Sequence, residues 1–229
     1  MSTIALKLAS PLQSWGTSSN FDTRHTDYHP SKSAIIGLIA ASMGYKRDMD
    51  YDIQKLNSLD YAVRVDKEGS LLMDYHTARK YKDSGDLDKK NAFVTTRYYL
   101  EDAVFVAAIG HIDNSVVEEI EFALKNPYFQ PYLGRRSCPP TADFILGTFE
   151  EDVISVLSKI PMQSKYKNDE TREKKLTIYA DSNLVDNKTH FFRKDYVVSF
   201  SQKERKFRYR NESKLLIDFP SDEHDAMNF

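Results

Sequence analysis

Between Ile4 and Phe149 the apolar spacing switches repeatedly between a period of two and one near 3.6. That succession limits the folds open to the chain more than any other feature. Ile4 to Leu8 alternates and runs into Ser10-Pro11, which predicts a short strand closed by a proline turn. Ser31 to Met43 follows Pro30, opens on serines and meets Gly44, which predicts a helix facing the core with Ile35, Leu38, Ile39 and Met43, with Gly37 allowing close approach. Tyr51 to Leu59 reads as a weaker helix and Tyr61 to Asp66 as a strand. Leu71 to Arg79 and Phe93 to Leu100 are extended stretches flanking the charged segment Lys80 to Asn91, so a long protruding hairpin is expected over 71–100. Ala103 to Ile109 suits a central strand. Asn114 or Ser115 would cap a helix through Lys125, with Val116, Ile120 and Leu124 inward and Pro127 at its end, and Phe144 to Phe149 supplies a further strand.

Strand, helix, strand, hairpin, strand, helix, strand is an α+β, ferredoxin-like (RRM-like) plan with an inserted hairpin, here assigned to residues 1–150. Residues 151–229 read as a small, mainly-β appendage: a short helix at Val153 to Ile160, a polar connection from Gln163 to Lys175, strands at Leu176 to Ala180, Tyr196 to Phe200 and Lys206 to Tyr209, and a frayed tail from Pro220.

With 32 basic against 34 acidic residues in 229, nothing global resembles a basic nucleic-acid coat, and any polyanion site must be local. The single cysteine permits no internal disulfide. With no signal-like start and no long apolar run, a cytoplasmic protein without membrane contact is expected.

The stretch Tyr132-Leu-Gly-Arg-Arg-Ser-Cys-Pro-Pro140 crowds a glycine, adjacent arginines, the only cysteine and two prolines together. Gly134 permits a positive φ or a close backbone approach, and Arg135 and Arg136 offer planar forks that match phosphate oxygens. It reads either as an anion-binding turn, with Ser137 beside the forks, or as a surface turn whose arginines pair with carboxylates. The polar connection from Gln13 to Pro30 carries Trp15, Arg24, His25, Tyr28 and His29; Trp15 is either a stacking platform or a buried anchor. The helix start at Lys32 and Ser33 is a natural phosphate site. Cys138 has no second cysteine and the histidines lack ligand spacing, so no metal and no cofactor is expected. Metal-free RNA cleavage would draw on His25, His29 and His76 with Tyr28, Tyr75, Tyr132 and Lys32; structural or RNA-contacting roles fit each histidine better.

Five strings occur in order: Leu-Ala-Ser-Pro-Leu-Gln-Ser-Trp-Gly16, His-Pro-Ser-Lys-Ser33, Asp-Tyr-His-Thr77, Thr-Thr-Arg-Tyr-Tyr-Leu100 and Tyr-Leu-Gly-Arg-Arg-Ser-Cys-Pro139. Over residues 1–150 they resemble the CasD family, the fifth-family Cas subunits of type I-E CRISPR Cascade complexes. The resemblance implies a ferredoxin-like core of the repeat-associated mysterious protein (RAMP) type with a thumb hairpin. It implies a non-catalytic subunit in antiviral defence that caps the five-prime handle of crRNA and contacts the backbone and large subunits, meeting target DNA only through the complex. By position Arg97 becomes the thumb arginine, and Gly134, Arg135, Arg136, Ser137, Lys32 and Ser33 the handle-binding floor, with Arg24 and Gln13 as weaker candidates. Such families carry a glycine-rich loop, whereas this chain has one glycine there, so arginine must do more of the holding. The competing readings are a repeat-specific endoribonuclease, as in relatives from another subtype, and a single-stranded RNA-binding module unrelated to CRISPR.

Overall fold

The computed structural model describes residues 1–17, 22–81, 87–164, 175–186 and 189–218. Much of the charged segment Lys80 to Asn91, most of the polar connection Gln163 to Lys175 and the tail from Pro220 lie outside the described residues or their side chains. Among the described residues, fifteen strands and helices run in chain order: β1 (Ser2–Ala9), β2 (Leu12–Gln13), β3 (Thr23–Arg24), α1 (Lys32–Ser42), α2 (Asp50–Lys55), β4 (Asp60–Lys67), β5 (Ser70–Tyr81), β6 (Leu87–Glu101), β7 (Val104–His111), α3 (Asn114–Lys125), β8 (Ile145–Phe149), α4 (Val153–Lys159), β9 (Lys175–Asp181), β10 (Phe191–Ser199) and β11 (Lys206–Asp218).

Seven strands form one antiparallel sheet in the order β10-β11-β9-β4-β7-β1-β8. Its β4-β7-β1-β8 part is joined by α1 between β1 and β4 and by α3 between β7 and β8, a βαββαβ succession. The C-terminal strands expected as an appendage continue this sheet, because β9 pairs with β4 from Ala62↔Ala180 to Val65↔Thr177. Both β10 and β11 are longer than the apolar spacing indicated.

The two faces of the sheet are built from different side chains. On one, Ile4, Leu6, Leu8, Tyr61, Val63, Phe105, Ala107 and Ile109 meet α1 and α3. On the other, Ala5, Ala62, Ala108 and Ala180 leave room for α4, which buries Val153, Val156 and Leu157 against them. Arg64, fully buried on this second face, pairs with Asp66 at 2.6 Å and donates to the carbonyls of Leu157, Ile160 and Pro161. It therefore satisfies the Leu157 carbonyl in the last turn of α4 and the two carbonyls that follow the helix end.

The expected helices form with small shifts. Ser31 caps α1, its hydroxyl accepting from the Ala34 N–H at 3.3 Å, and Gly44 ends it at φ +80°. In α3 the cap is Asp113, one residue before the expected pair, and Val117 rather than Val116 is the fully buried residue of the first turn. A Cβ on Gly37 would sit at an ordinary 3.6 Å from Phe200, so no close approach depends on it.

A second sheet holds the hairpin. β5 and β6 pair from Ser70↔Glu101 to Tyr81↔Leu87, and at about 3.3 Å per residue β5 alone extends about 40 Å. Its base is widened by β2, antiparallel to β6, and by β3, parallel to it with Thr23↔Thr96 and Arg24↔Arg97 in register. Among the described residues no helix is long and apolar enough to cross a membrane.

Candidate nucleic-acid interface

The glycine–arginine loop lies on the segment Gln13 to Trp15. Gly134 takes φ +84°, and a Cβ there would stand 1.6 Å from the Ser14 carbonyl oxygen, so no other residue fits without moving the chain. The Ser14 N–H donates to Leu133 O at 3.2 Å, and Leu133 N and Cys138 O close the loop at 2.7 Å. Leu133 and Cys138 point down into the core. This leaves Arg135 on top, its guanidinium 4.2 Å from the centre of the Tyr99 ring and donating to Arg24 O at 3.1 Å.

Register brings two further arginines to this point. Arg24 and Arg97 are paired on β3 and β6, and directly opposed residues of adjacent strands share a face. The strand β3 is anchored there by the Thr96 N–H, which donates to Asp22 O at 2.8 Å. Arg97 Nε and Arg135 Nη1 are both buried without a hydrogen-bond partner. Among the described residues, no carboxylate forms an ion pair with Arg24, Arg97, Arg135 or Arg136. Buried donors left open are rare and costly, and guanidiniums without carboxylates form an anion-accepting surface.

Two contributors carry no motif in the sequence. Arg205, between β10 and β11, is held below the usual guanidinium range, first by loss of hydration and then by the positive charges of Arg47 and Arg24. Arg205 thus stands within electrostatic reach of Arg47 and Arg24, although nothing in its local sequence marks it.

Other expected residues are used internally. Lys32 is buried, its Nζ donating to Asp181 Oδ2 at 2.8 Å, Leu59 O at 2.5 Å and Asn57 O at 3.1 Å, while its backbone N–H donates to Asp195 Oδ2 at 2.9 Å. The start of α1 already holds an anion, and that anion is the chain's own Asp195, so Lys32 is removed from the phosphate site. Ser33 is half-buried beside the capping Ser31, their hydroxyls 3.2 Å apart. Gln13 is fully buried, donating to Leu8 O and Ala103 O and accepting from Trp15 Nε1 at 3.0 Å. That bond and the burial of Trp15 make the indole an anchor rather than a stacking platform. Ser137 and Arg136 remain exposed on the loop.

The histidines are dispersed. His25 stacks on Tyr98 with centroids 5.4 Å apart, so it lies on the face of β6 opposite to Arg97. His76 pairs in register with Thr95, on the Arg97 face, its ring nitrogen 3.4 Å from the threonine hydroxyl. His29 stacks on Tyr179 at 3.8 Å and lies 3.1 Å from Glu212; burial, against the raising effect of that hydrogen bond, lowers its pKa. Among the described residues no cluster of three or more potential metal ligands is present.

Residues 3–211 match the family described as CRISPR-associated protein (Cas_Cas5). The chain belongs to the Cas5 family. The match takes in the hairpin sheet, the seven-stranded sheet up to the middle of β11, and Arg24, Arg97, Arg135 and Arg136. Over 157 residues this Cas5 chain is 37% identical to the CRISPR system Cascade subunit CasD of Escherichia coli (strain K12), covering 63% of this chain and 70% of that protein. Its backbone is similar to a chain of a solved CRISPR RNA-guided surveillance complex, with a TM-score of 0.80, 30% identity and coverage of 96% and 91%. It is similar also to a crystallised Cas protein, with a TM-score of 0.67, 28% identity and coverage of 94% and 95%.

Proposed function

We propose that this Cas5 chain is a non-catalytic subunit of a CRISPR Cascade surveillance complex, and that its ferredoxin-like RAMP core and thumb hairpin hold the five-prime handle of crRNA. The convergence of Arg24, Arg97 and Arg135 at the hairpin base carries the reading, with buried guanidinium nitrogens on two of them lacking any internal acceptor. Single-stranded RNA supplies phosphate oxygens at such a point. Gly134 positions the loop, Arg136 and Ser137 extend it, and the exposed length of β5 and β6 is the surface offered to the backbone and large subunits. An endoribonuclease needs a general base and acid converging on one phosphate. Opposite faces of β6 separate His25 from His76, and His29 is committed to Tyr179 and Glu212, which favours holding over cutting.

The test is retention and cleavage of a labelled repeat RNA, without metal, over a salt series. Replacing Arg97 and Arg135 together by alanine is expected to weaken retention at least about tenfold and to reduce the salt slope by about 0.7 for each phosphate no longer neutralised. An unchanged slope in a folded variant removes the arginine cluster from the site, and site-specific cutting by the wild-type chain replaces the clamp with a nuclease.

A further inference from the structure

The buried side of the β10–β11 hairpin is occupied by Arg193 with Arg210 and by Val197 with Phe207, two register pairs that face α1 and the core. The pair Phe192↔Asn211, just before Arg193, and the pair Tyr196↔Arg208, just before Val197, alternate with these and face the other way. Register shifts between Arg193 and Tyr196, and the bulge leaves Lys194 and Tyr209 exposed between those pairs. Phe192 is 72% exposed, Tyr209 66% and Tyr196 38%. Phe192 meets His190 edge-on with ring centres 5.8 Å apart, yet most of its surface stays in water, and large aromatics so exposed at a sheet edge call for a partner.

Charge decides which kind of partner. Lys194 and Arg208 lie among the rings and no carboxylate pairs with either among the described residues, in a chain whose formal charge is −2. From 189 to 218, leaving aside Arg205 near Arg24, the exposed charged residues are Lys194, Lys203, Lys206, Arg208 and Lys214 against Glu204 and Asp218, with Lys206 paired to Glu204 at 2.6 Å. Protein interfaces are depleted in lysine, whereas rings interleaved with lysine and arginine match the stacked bases and phosphates of a single strand. We infer that the outward face of the β10–β11 hairpin, through Phe192, Tyr196, Tyr209, Lys194 and Arg208, is a second, sequence-tolerant binding surface for single-stranded nucleic acid. It lies on the opposite side of the sheet from Arg193, which grips the loop carrying Arg24, so it is separate from the proposed handle site and does not depend on it.

The experiment measures anisotropy of labelled thymidine and uridine oligonucleotides without handle sequence, at low salt, with the full chain. Two double variants, Phe192→Ala with Tyr209→Ala and Lys194→Ala with Arg208→Ala, change exposed side chains and are expected to keep the wild-type melting temperature. Each is expected to weaken oligonucleotide binding about tenfold or more while leaving handle-RNA retention within about twofold. Replacing Arg97 and Arg135 is expected to do the reverse. Equal binding of the two oligonucleotides assigns the face to either backbone, and a preference for one names it. The proposal is overturned if the wild-type chain binds neither oligonucleotide, if only the Arg97 and Arg135 variant loses them, or if the face variants keep them and instead fail to assemble with other Cascade subunits.

Discussion

Gly134 shows how little room separates the arginine loop from the chain beneath it. A methyl group there would overlap the Ser14 carbonyl at 1.6 Å, at a φ of +84° that L side chains rarely adopt. Gly134→Ala is therefore expected to cost about 3 kcal/mol or more in urea unfolding and to weaken RNA retention with it; a loss under about 1 kcal/mol would show that the loop does not rest on Ser14. The glycine and its arginines were legible in the sequence because the requirement is local: a positive φ, two forks and an exit stiffened by proline. Lys32 and Gln13 were not, since their fates are set by Asp181, 149 residues away, and by Ala103, 90 residues away. Local spacing placed a lysine at a helix start, and only the tertiary structure reveals that its charge is already neutralised. Arg205 comes within electrostatic reach of Arg24 only through the fold.

At the scale of elements, β10 determines where β3 can lie. The Arg193 guanidinium donates to Asp27 Oδ2 at 3.0 Å, His29 O at 2.9 Å, Pro30 O at 3.2 Å and Glu212 Oε1 at 3.3 Å. A single side chain from the C-terminal strands thus fastens the loop whose earlier part supplies Arg24 and His25 to β6. Arg193→Ala is expected to speed amide hydrogen exchange over residues 22–30 and weaken handle binding several-fold without changing its salt slope, because every phosphate keeps its own cation. A changed slope would make Arg193 a direct ligand of the RNA, and unchanged exchange would free the loop from it. The hairpin was visible in the sequence as two extended stretches around a charged segment, and it spans Ser70 to Glu101 against an expected 71–100. The attachment of β9 to β4 was not visible, because strand partners are chosen by long-range packing: here the small side chains of Ala62 and Ala180 meet under α4. The same holds for β3, two residues of strand within a stretch that has no periodicity of its own.

The whole molecule rests on a buried ionic cluster between α1 and the C-terminal strands, with Lys32, Arg193 and Arg210 set against Asp27, Asp181, Asp195 and Glu212. Its acid sensitivity follows from two groups. His29 is held below its ordinary 6.5, first by burial, so below about 6.5 the unfolded chain binds more protons and stability falls as pH falls. Burial would raise Glu212, but the hydrogen bond from His29 and the charges of Arg193 and Arg210 hold it at about 2; its contribution is present above the ordinary 4.5 and is lost as pH falls toward 2. The melting temperature is expected to drop between pH 7 and 5 and more steeply below 4.5, and His29→Gln to flatten the first interval; an identical profile in that variant would exclude His29 as its source. Asp195 has a further consequence in time. It reaches the α1 start from 163 residues down the chain, and at typical synthesis rates it leaves the ribosome on the order of 10 s after Lys32. In that interval the helix amides and the lysine have no carboxylate of their own, and any polyanion nearby competes for them. The start of α1 is therefore completed only when β10 has been made.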